Sequence, residues 1–238
     1  KNGQKKLMKK YKIFVACDTS NLGHIKKIIN QTRTKKLEII PKFGLQFFYS
    51  KNGRKFLERF KGHFFLDLKI NDIKQTALSA LDSLKDLKRV RYITVHTNGG
   101  LEMLKAVNKK AKQINKKLRV LGVTVLTSLN NRSLRDLGHT KTVEQLVLKQ
   151  TGLIKKSGCH GCVLSAKEAK IVRKKYKNLF IVAPGVRLPG DKTDDQARVV
   201  NPYEALVKNK VDAIVMGRSL VRGNIKNNIK KLIDHLNQ

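Results

Sequence analysis

The sequence predicts an α/β protein, a single-domain (β/α)8 TIM barrel. Three observations carry that expectation. Eight short apolar, β-branched-rich runs recur, each followed by a longer amphipathic segment. No Gly/Ser/Pro-rich linker divides the chain. The length, 238 residues, suits one barrel of about 250 residues. Continuous apolar runs are what strands buried on both faces require, and strand–helix alternation implies parallel pairing. The three-glycine fingerprint of open dinucleotide-binding sheets is absent.

Taken in order, the apolar run over residues 13–17 is the first strand, and the 3.6-residue periodicity over 22–30 its helix. A strand over 37–42 precedes a helix over 51–60. A third strand, 63–68, leads into a helix over 73–87. The run 92–96 and the amphipathic stretch 101–115 form the fourth repeat. Residues 119–126 and 143–156 form the fifth, 161–164 and 166–176 the sixth. Strand seven, 179–183, is followed by a long polar loop and a short helix over 203–207. Strand eight, 213–216, and a helix over 225–236 close the chain. Residues 1–10 read as a flexible basic leader, leaving 11–238 as the barrel.

The formal net charge is +35, from 52 Lys+Arg against 17 Asp+Glu. A nucleic-acid binder would gather that charge on one stripe. Here lysine pairs such as Lys26-Lys27, Lys109-Lys110 and Lys174-Lys175 recur all round the chain, mostly in or just after helices. They read as solvated helix faces, and no nucleic-acid partner is expected. The positive field would still speed capture of an anionic substrate. No apolar run reaches 18 residues, so no membrane span is expected. Three cysteines make no disulfide framework, and a reducing, cytoplasmic setting fits them. Cys159-His160-Gly161-Cys162 has metal-like spacing but no second ligand pair, and reads as the entry to a buried strand.

In such barrels the chemistry sits at the C-terminal ends of the strands. Polar groups collect there: Asp18 after strand one, Lys42 at strand two, Asp67 and Lys69 with Asp72 beyond at strand three. His96 ends strand four and Thr127 strand five. Asp67 and Lys69 are two apart, so on an extended strand they face the same side, toward the lumen. A carboxylate beside an ammonium keeps both ionised. Lys42 and Asp72 could extend the pair into an alternating array. Loops seven and eight, the usual barrel phosphate site, carry Pro184-Gly185-Val186-Arg187, Gln196 and Gly217-Arg218. Glycines let backbone N–H groups approach phosphate oxygens, and arginine offers a charged fork.

These segments, in this order, resemble one family. Val15-Ala16-Cys17-Asp18, Lys42-Phe43-Gly44, Asp67-Leu68-Lys69-Ile70-Asn71-Asp72, Val95-His96 with Gly99-Gly100, Ser165-Ala166-Lys167-Glu168, Pro184-Gly185-Val186-Arg187 and Met216-Gly217-Arg218 are similar to those of the orotidine 5'-phosphate decarboxylases. The resemblance runs from Ile13 to about Leu220. It implies cofactor-free and metal-free conversion of orotidine 5'-monophosphate to uridine 5'-monophosphate in pyrimidine biosynthesis. Lys69 then matches the proton donor, Asp67 the carboxylate beside the substrate's, and Lys42 and Asp72 the rest of the charge array. Asp18 matches a ribose contact and Thr127 a pyrimidine contact. Arg187, Gln196, Gly217 and Arg218 match the phosphate set. The resemblance also implies a homodimer in which Asp72 and Thr76 reach the neighbouring site. Asn71, Lys74 and Gln75 depart from the family pattern beside those charges. Two rivals remain open: a metal-dependent sugar-phosphate enzyme of the same superfamily, and a basic nucleic-acid-binding protein on an inherited barrel.

Overall fold

The computed structural model describes residues 10–191 and 199–237. Eight parallel strands close into a barrel in sequence order, β1 pairing with both β2 and β8. The strands are β1 (Lys12–Ala16), β2 (Glu38–Gly44), β3 (Phe64–Ile70), β4 (Val90–His96), β5 (Arg119–Val123), β6 (Gly161–Val163), β7 (Phe180–Ala183) and β8 (Ala213–Met216). Between them run α1 (Leu22–Gln31), α2 (Leu45–Phe48), α3 (Gly53–Arg59), α4 (Lys74–Asp82), α5 (Gly100–Ile114), α6 (Asn131–Asp136), α7 (Val143–Ser157), α8 (Ala166–Lys175), α9 (Arg218–Val221) and α10 (Ile225–Leu236).

The expected repeats are all present, the seventh through a short π-helical turn over Glu204–Lys208, and α4 stops at Asp82 rather than at 87. The short helices α2, α6 and α9 were not expected, because one turn of helix leaves no periodicity to read. Strand five ends at Val123, short of the expected residue 126, and strand three runs on to Ile70 rather than stopping at 68. Local signals set the helix ends. Asn21, Ser165 and Asn224 cap α1, α8 and α10, and Thr142 with Gln145 makes a reciprocal capping box on α7. The expected leader, save Lys10, lies outside the described residues.

Strand alternation sorts the apolar residues into two layers. Ile13, Val15, Phe64, Leu66 and Val120 face the helices and join the large outer core. Phe14, Phe65, Tyr92, Leu121, Val123, Val163, Val182 and Ala213 face inward and fill the barrel. Phe14 packs edge-on against Phe65 and Tyr92, at 4.8 and 5.0 Å between ring centres. Lys12 closes the N-terminal end, donating to the Tyr92 hydroxyl at 2.9 Å and pairing with Glu38 at 3.3 Å. The lumen is therefore plugged at one end, and the inward positions beyond the plug are left for the other. Cys159 and Cys162 are both buried, their thiols directed at the Leu104 and Phe180 carbonyls.

Candidate active site

Past the aromatic plug, inward positions become small or charged. On β1 the inward sequence is Lys12, Phe14, Ala16 and then Asp18; on β2, Lys42 follows Ile40. A cavity of about 680 Å³ opens there, at the C-terminal ends of the strands. Asp18, Lys42, Asp67, Lys69, Thr127, Arg187, Gly217 and Arg218, all expected from sequence, line it.

Four of these form one alternating line. Lys42 Nζ stands 3.3 Å from Asp18 Oδ1 and 3.2 Å from Asp67 Oδ2. Lys69 Nζ donates to the same Asp67 oxygen at 2.9 Å. The order is anion, cation, anion, cation. Burial alone would lower the pKa of Lys42, but the Asp67 and Asp18 carboxylates outweigh it and hold the ammonium above its ordinary value. Burial likewise acts to raise Asp67. The Lys42 and Lys69 charges, with hydrogen bonds from Lys69 and Thr94, overcome that and hold the carboxyl below its usual range. Both groups are ionised at neutral pH for the same reason: each one's desolvation is offset by the other's charge. Both ends of the line reach solvent, with 56% of the Asp18 side chain and 36% of the Lys69 side chain exposed against 7% for Lys42.

Asp67 and Lys69 meet, but not as two alternate residues of an extended strand. Leu66 is opposite Ile93 and Ile70 opposite Val95, so four steps along β3 face two along β4. Lys69 has φ 50°, in the left-handed region that side chains other than glycine rarely adopt. The pair is brought together by a bulge.

Asp72 does not extend the array within one chain. It is exposed, accepts the Ile73 N–H at 2.7 Å and does not line the cavity. Thr76, in the first turn of α4, is also exposed and outside the cavity. Gln196 lies outside the described residues. His96 does not line the cavity either, and accepts the Asn98 N–H through Nδ1. Burial and the Lys69 charge push it below the ordinary histidine range, so it is neutral near pH 7.

Loops seven and eight supply further lining of the cavity. Gly185 has φ 73°, a conformation glycine reaches without steric cost, and Val186 beside it bridges Val200. Arg187 is buried, its N–H bonded to the Val200 carbonyl at 3.1 Å. The Leu188 N–H donates to Ser219 Oγ at 2.8 Å, tying loop seven to α9. Arg187 and Arg218 thus both line the cavity, with Gly217 between strand eight and α9. Phe65, Val123, Val163 and Val215 give the cavity an apolar stretch of wall.

Sequence reasoning missed three kinds of residue here. The apolar wall follows from strand alternation and was legible in principle. Thr19, His24 and Leu126 line the cavity from loops and α1, where no periodicity announces them. Thr94, fully buried on β4, bonds to both Asp67 and Lys69 and was read only as part of an apolar run.

Fold and site together define an enzyme of the (β/α)8 class, with two arginines and a line of alternating charges in one cavity at the C-terminal ends of the strands. A model of the "Orotidine 5'-phosphate decarboxylase / HUMPS family" matches residues 11–230. An orotidine 5'-phosphate decarboxylase of the Wolbachia of Brugia malayi is 36% identical over 224 residues, covering 93% of this chain and 96% of that one. One from Idiomarina loihiensis is 34% identical over 214 residues, covering 89% and 91%. The crystal structure of orotidine 5'-phosphate decarboxylase from Lactobacillus acidophilus superposes with a TM-score of 0.80 at 25% identity, over 96% of this chain and all of that one. The chain belongs to the orotidine 5'-phosphate decarboxylase / HUMPS family, and is a carbon–carbon lyase.

Proposed function

We propose that this enzyme decarboxylates orotidine 5'-monophosphate to uridine 5'-monophosphate, as a step of pyrimidine biosynthesis, with Lys69 protonating C6. The observation that carries the reading is the unbroken line Asp18–Lys42–Asp67–Lys69 in a cavity that Arg187 and Arg218 also line. That arrangement fits an elongated substrate with a phosphate at one end and a reacting ring at the other. The length of the family match and the naming of the relatives support the same substrate.

In the reaction the bond from C6 to the carboxylate breaks and its electron pair stays on C6. That carbanion lies in the ring plane and is poorly delocalised. A fixed ammonium stabilises it better than water does, because the cation is already oriented. Lys69 then gives a proton to C6 and becomes a neutral amine, which recovers its proton from solvent through its exposed side. Lys42 holds Asp67 ionised and in place. Asp67 fixes the Lys69 ammonium and faces the departing carboxylate. Asp18 receives a ribose hydroxyl, Thr127 the pyrimidine edge, and Arg187, Gln196, Gly217 and Arg218 the phosphate. The apolar wall offers carbon dioxide a dry exit from the ring. No cofactor or metal ion is used: Lys42 and Lys69 supply the positive charge.

The working unit is a cytoplasmic homodimer in which Asp72 and Thr76 complete the partner's site. Their exposure supports this, as does Ile73 between them, with 72% of its surface open to solvent. Among the described residues no helix is long and apolar enough to cross a membrane.

The test is turnover of orotidine 5'-monophosphate in the presence of EDTA. Decarboxylation at an undiminished rate supports the reading. Turnover that requires an added divalent metal would favour the metal-dependent branch of the superfamily.

A further inference from the structure

We infer that Thr94 is a positioning residue of the decarboxylation site, pinning the β3 bulge so that Asp67 and Lys69 meet over the reacting carbon. The inference rests on the reaction proposed above and deepens it.

The bulge creates a problem that the strand cannot solve alone. Between Leu66 and Ile70, β3 carries two residues more than β4 does between Ile93 and Val95. Backbone groups within such a bulge lose their ladder partners, and a buried N–H without a partner is costly. Lys69 also sits at φ 50°, which persists only where the surroundings hold it. Thr94 is the residue of β4 that faces the bulge, and it is completely buried. Its hydroxyl bonds once as acceptor and once as donor. Thr94 Oγ1 accepts the Lys69 backbone N–H at 2.9 Å and donates to Asp67 Oδ1 at 2.9 Å. The other Asp67 oxygen takes the two ammonium groups.

One side chain therefore replaces the missing ladder bond and orients the carboxylate. It does so in series: backbone N–H of Lys69, hydroxyl of Thr94, carboxylate of Asp67, ammonium of Lys69. The loop closes on a single residue, so the backbone that carries the proton donor and the anion that aims it are locked to each other. Serine retains the hydroxyl. Valine has the same shape as threonine and makes neither bond. Thr94 does not line the cavity, which makes its action indirect.

The two roles predict a specific pattern. Thr94→Val should lower kcat about 10- to 100-fold, the range for losing a hydrogen bond to a charged group and stranding its partner. KM should move less than about 3-fold, because phosphate and ribose contacts lie elsewhere. The carboxylate loses a donor that favours its charged form, so Asp67 becomes easier to protonate. The acid limb of the kcat/KM profile should accordingly move to higher pH. Thr94→Ser should restore kcat and return the limb toward its parental position.

The experiment is the full pH profile of the parent enzyme, Thr94→Val and Thr94→Ser with orotidine 5'-monophosphate, with circular dichroism of each. Should Thr94→Val fail to fold, Thr94→Ala, which removes the hydroxyl and adds no bulk, takes its place. A kcat loss with a shifted acid limb, both reversed by serine, supports the inference. An active parent with a Thr94→Val variant of unchanged kcat and unshifted limb overturns the positioning role alone. An inactive parent overturns the proposed reaction, and the positioning role with it.

Discussion

Replacing Lys69 by alanine separates catalysis from folding more sharply than any other single change in this molecule. The ammonium is about 3 Å from its carboxylate neighbour and, on the proposed reaction, at a similar distance from the carbon that gains charge. At an effective dielectric constant of about 20, a unit charge about 3 Å from a forming anion contributes roughly 5–6 kcal/mol. That alone corresponds to about a 10⁴-fold change in rate. Loss of the proton donor adds about 10²–10⁴-fold more. The stability cost works out differently. Lys69 is one-third exposed, and Asp67 keeps Lys42 at 3.2 Å, so no buried carboxylate is left without a counterion. An exposed ion pair contributes about 1 kcal/mol or less, which is a few degrees or less in Tm for a chain of this size. The assay is the absorbance change of orotidine 5'-monophosphate, alongside thermal melts of parent and variant. A folded Lys69→Ala protein with kcat within about 10-fold of the parent would refute the reasoning.

The remaining predictions address the other parts of the site. Arg218→Ala should raise KM by about 10-fold or more through lost phosphate binding, with a smaller fall in kcat; unchanged steady-state kinetics would remove Arg218 from the site. Asp67→Asn should destabilise the fold by about 3 kcal/mol near pH 7, the low end for breaking a buried pair because Asp18 still faces Lys42. Since the folded-state pKa of Asp67 lies below its ordinary value of about 3.9, that stabilisation is present above the ordinary value and lost as pH falls through the folded one. The gap in urea midpoint between parent and Asp67→Asn should therefore close below about pH 4, and a gap independent of pH would contradict the shift. Mixing inactive Lys69→Ala and Asp72→Asn chains in equal amounts, under conditions that exchange subunits, should restore roughly a quarter of parental activity, since only mixed dimers hold one intact site. No recovery on mixing would place Asp72 in its own chain's site, and an Asp72→Asn chain that is active alone would remove it from the site.

The sequence by itself determined the architecture and most of the site's membership. Eight apolar runs too short to be helices must pair, and the helices between them force the pairing to be parallel. Closure then sends every strand's C-terminal end to one mouth, so Asp18, Lys42, Asp67, Thr127, Gly217 and Arg218 could be gathered from their positions at strand ends alone. Asp72 was also read from its place beyond strand three, and Thr76 only through family resemblance, yet within one chain both stand outside the cavity.

What only the tertiary structure decided is how the charges come into register. Extended-strand alternation was the wrong reason for the right pair: β3 bulges, Lys69 turns left-handed, and the ammonium reaches Asp67 by folding back. Neither the bulge nor its support is written in β3. They depend on a hydroxyl from β4, 25 residues later, that looks in the sequence like any other β-branched strand residue. Periodicity reports which way a side chain points because it is a property of one segment. Which oxygen meets which nitrogen is a property of two segments and the offset between them, and that offset exists only once the barrel has closed.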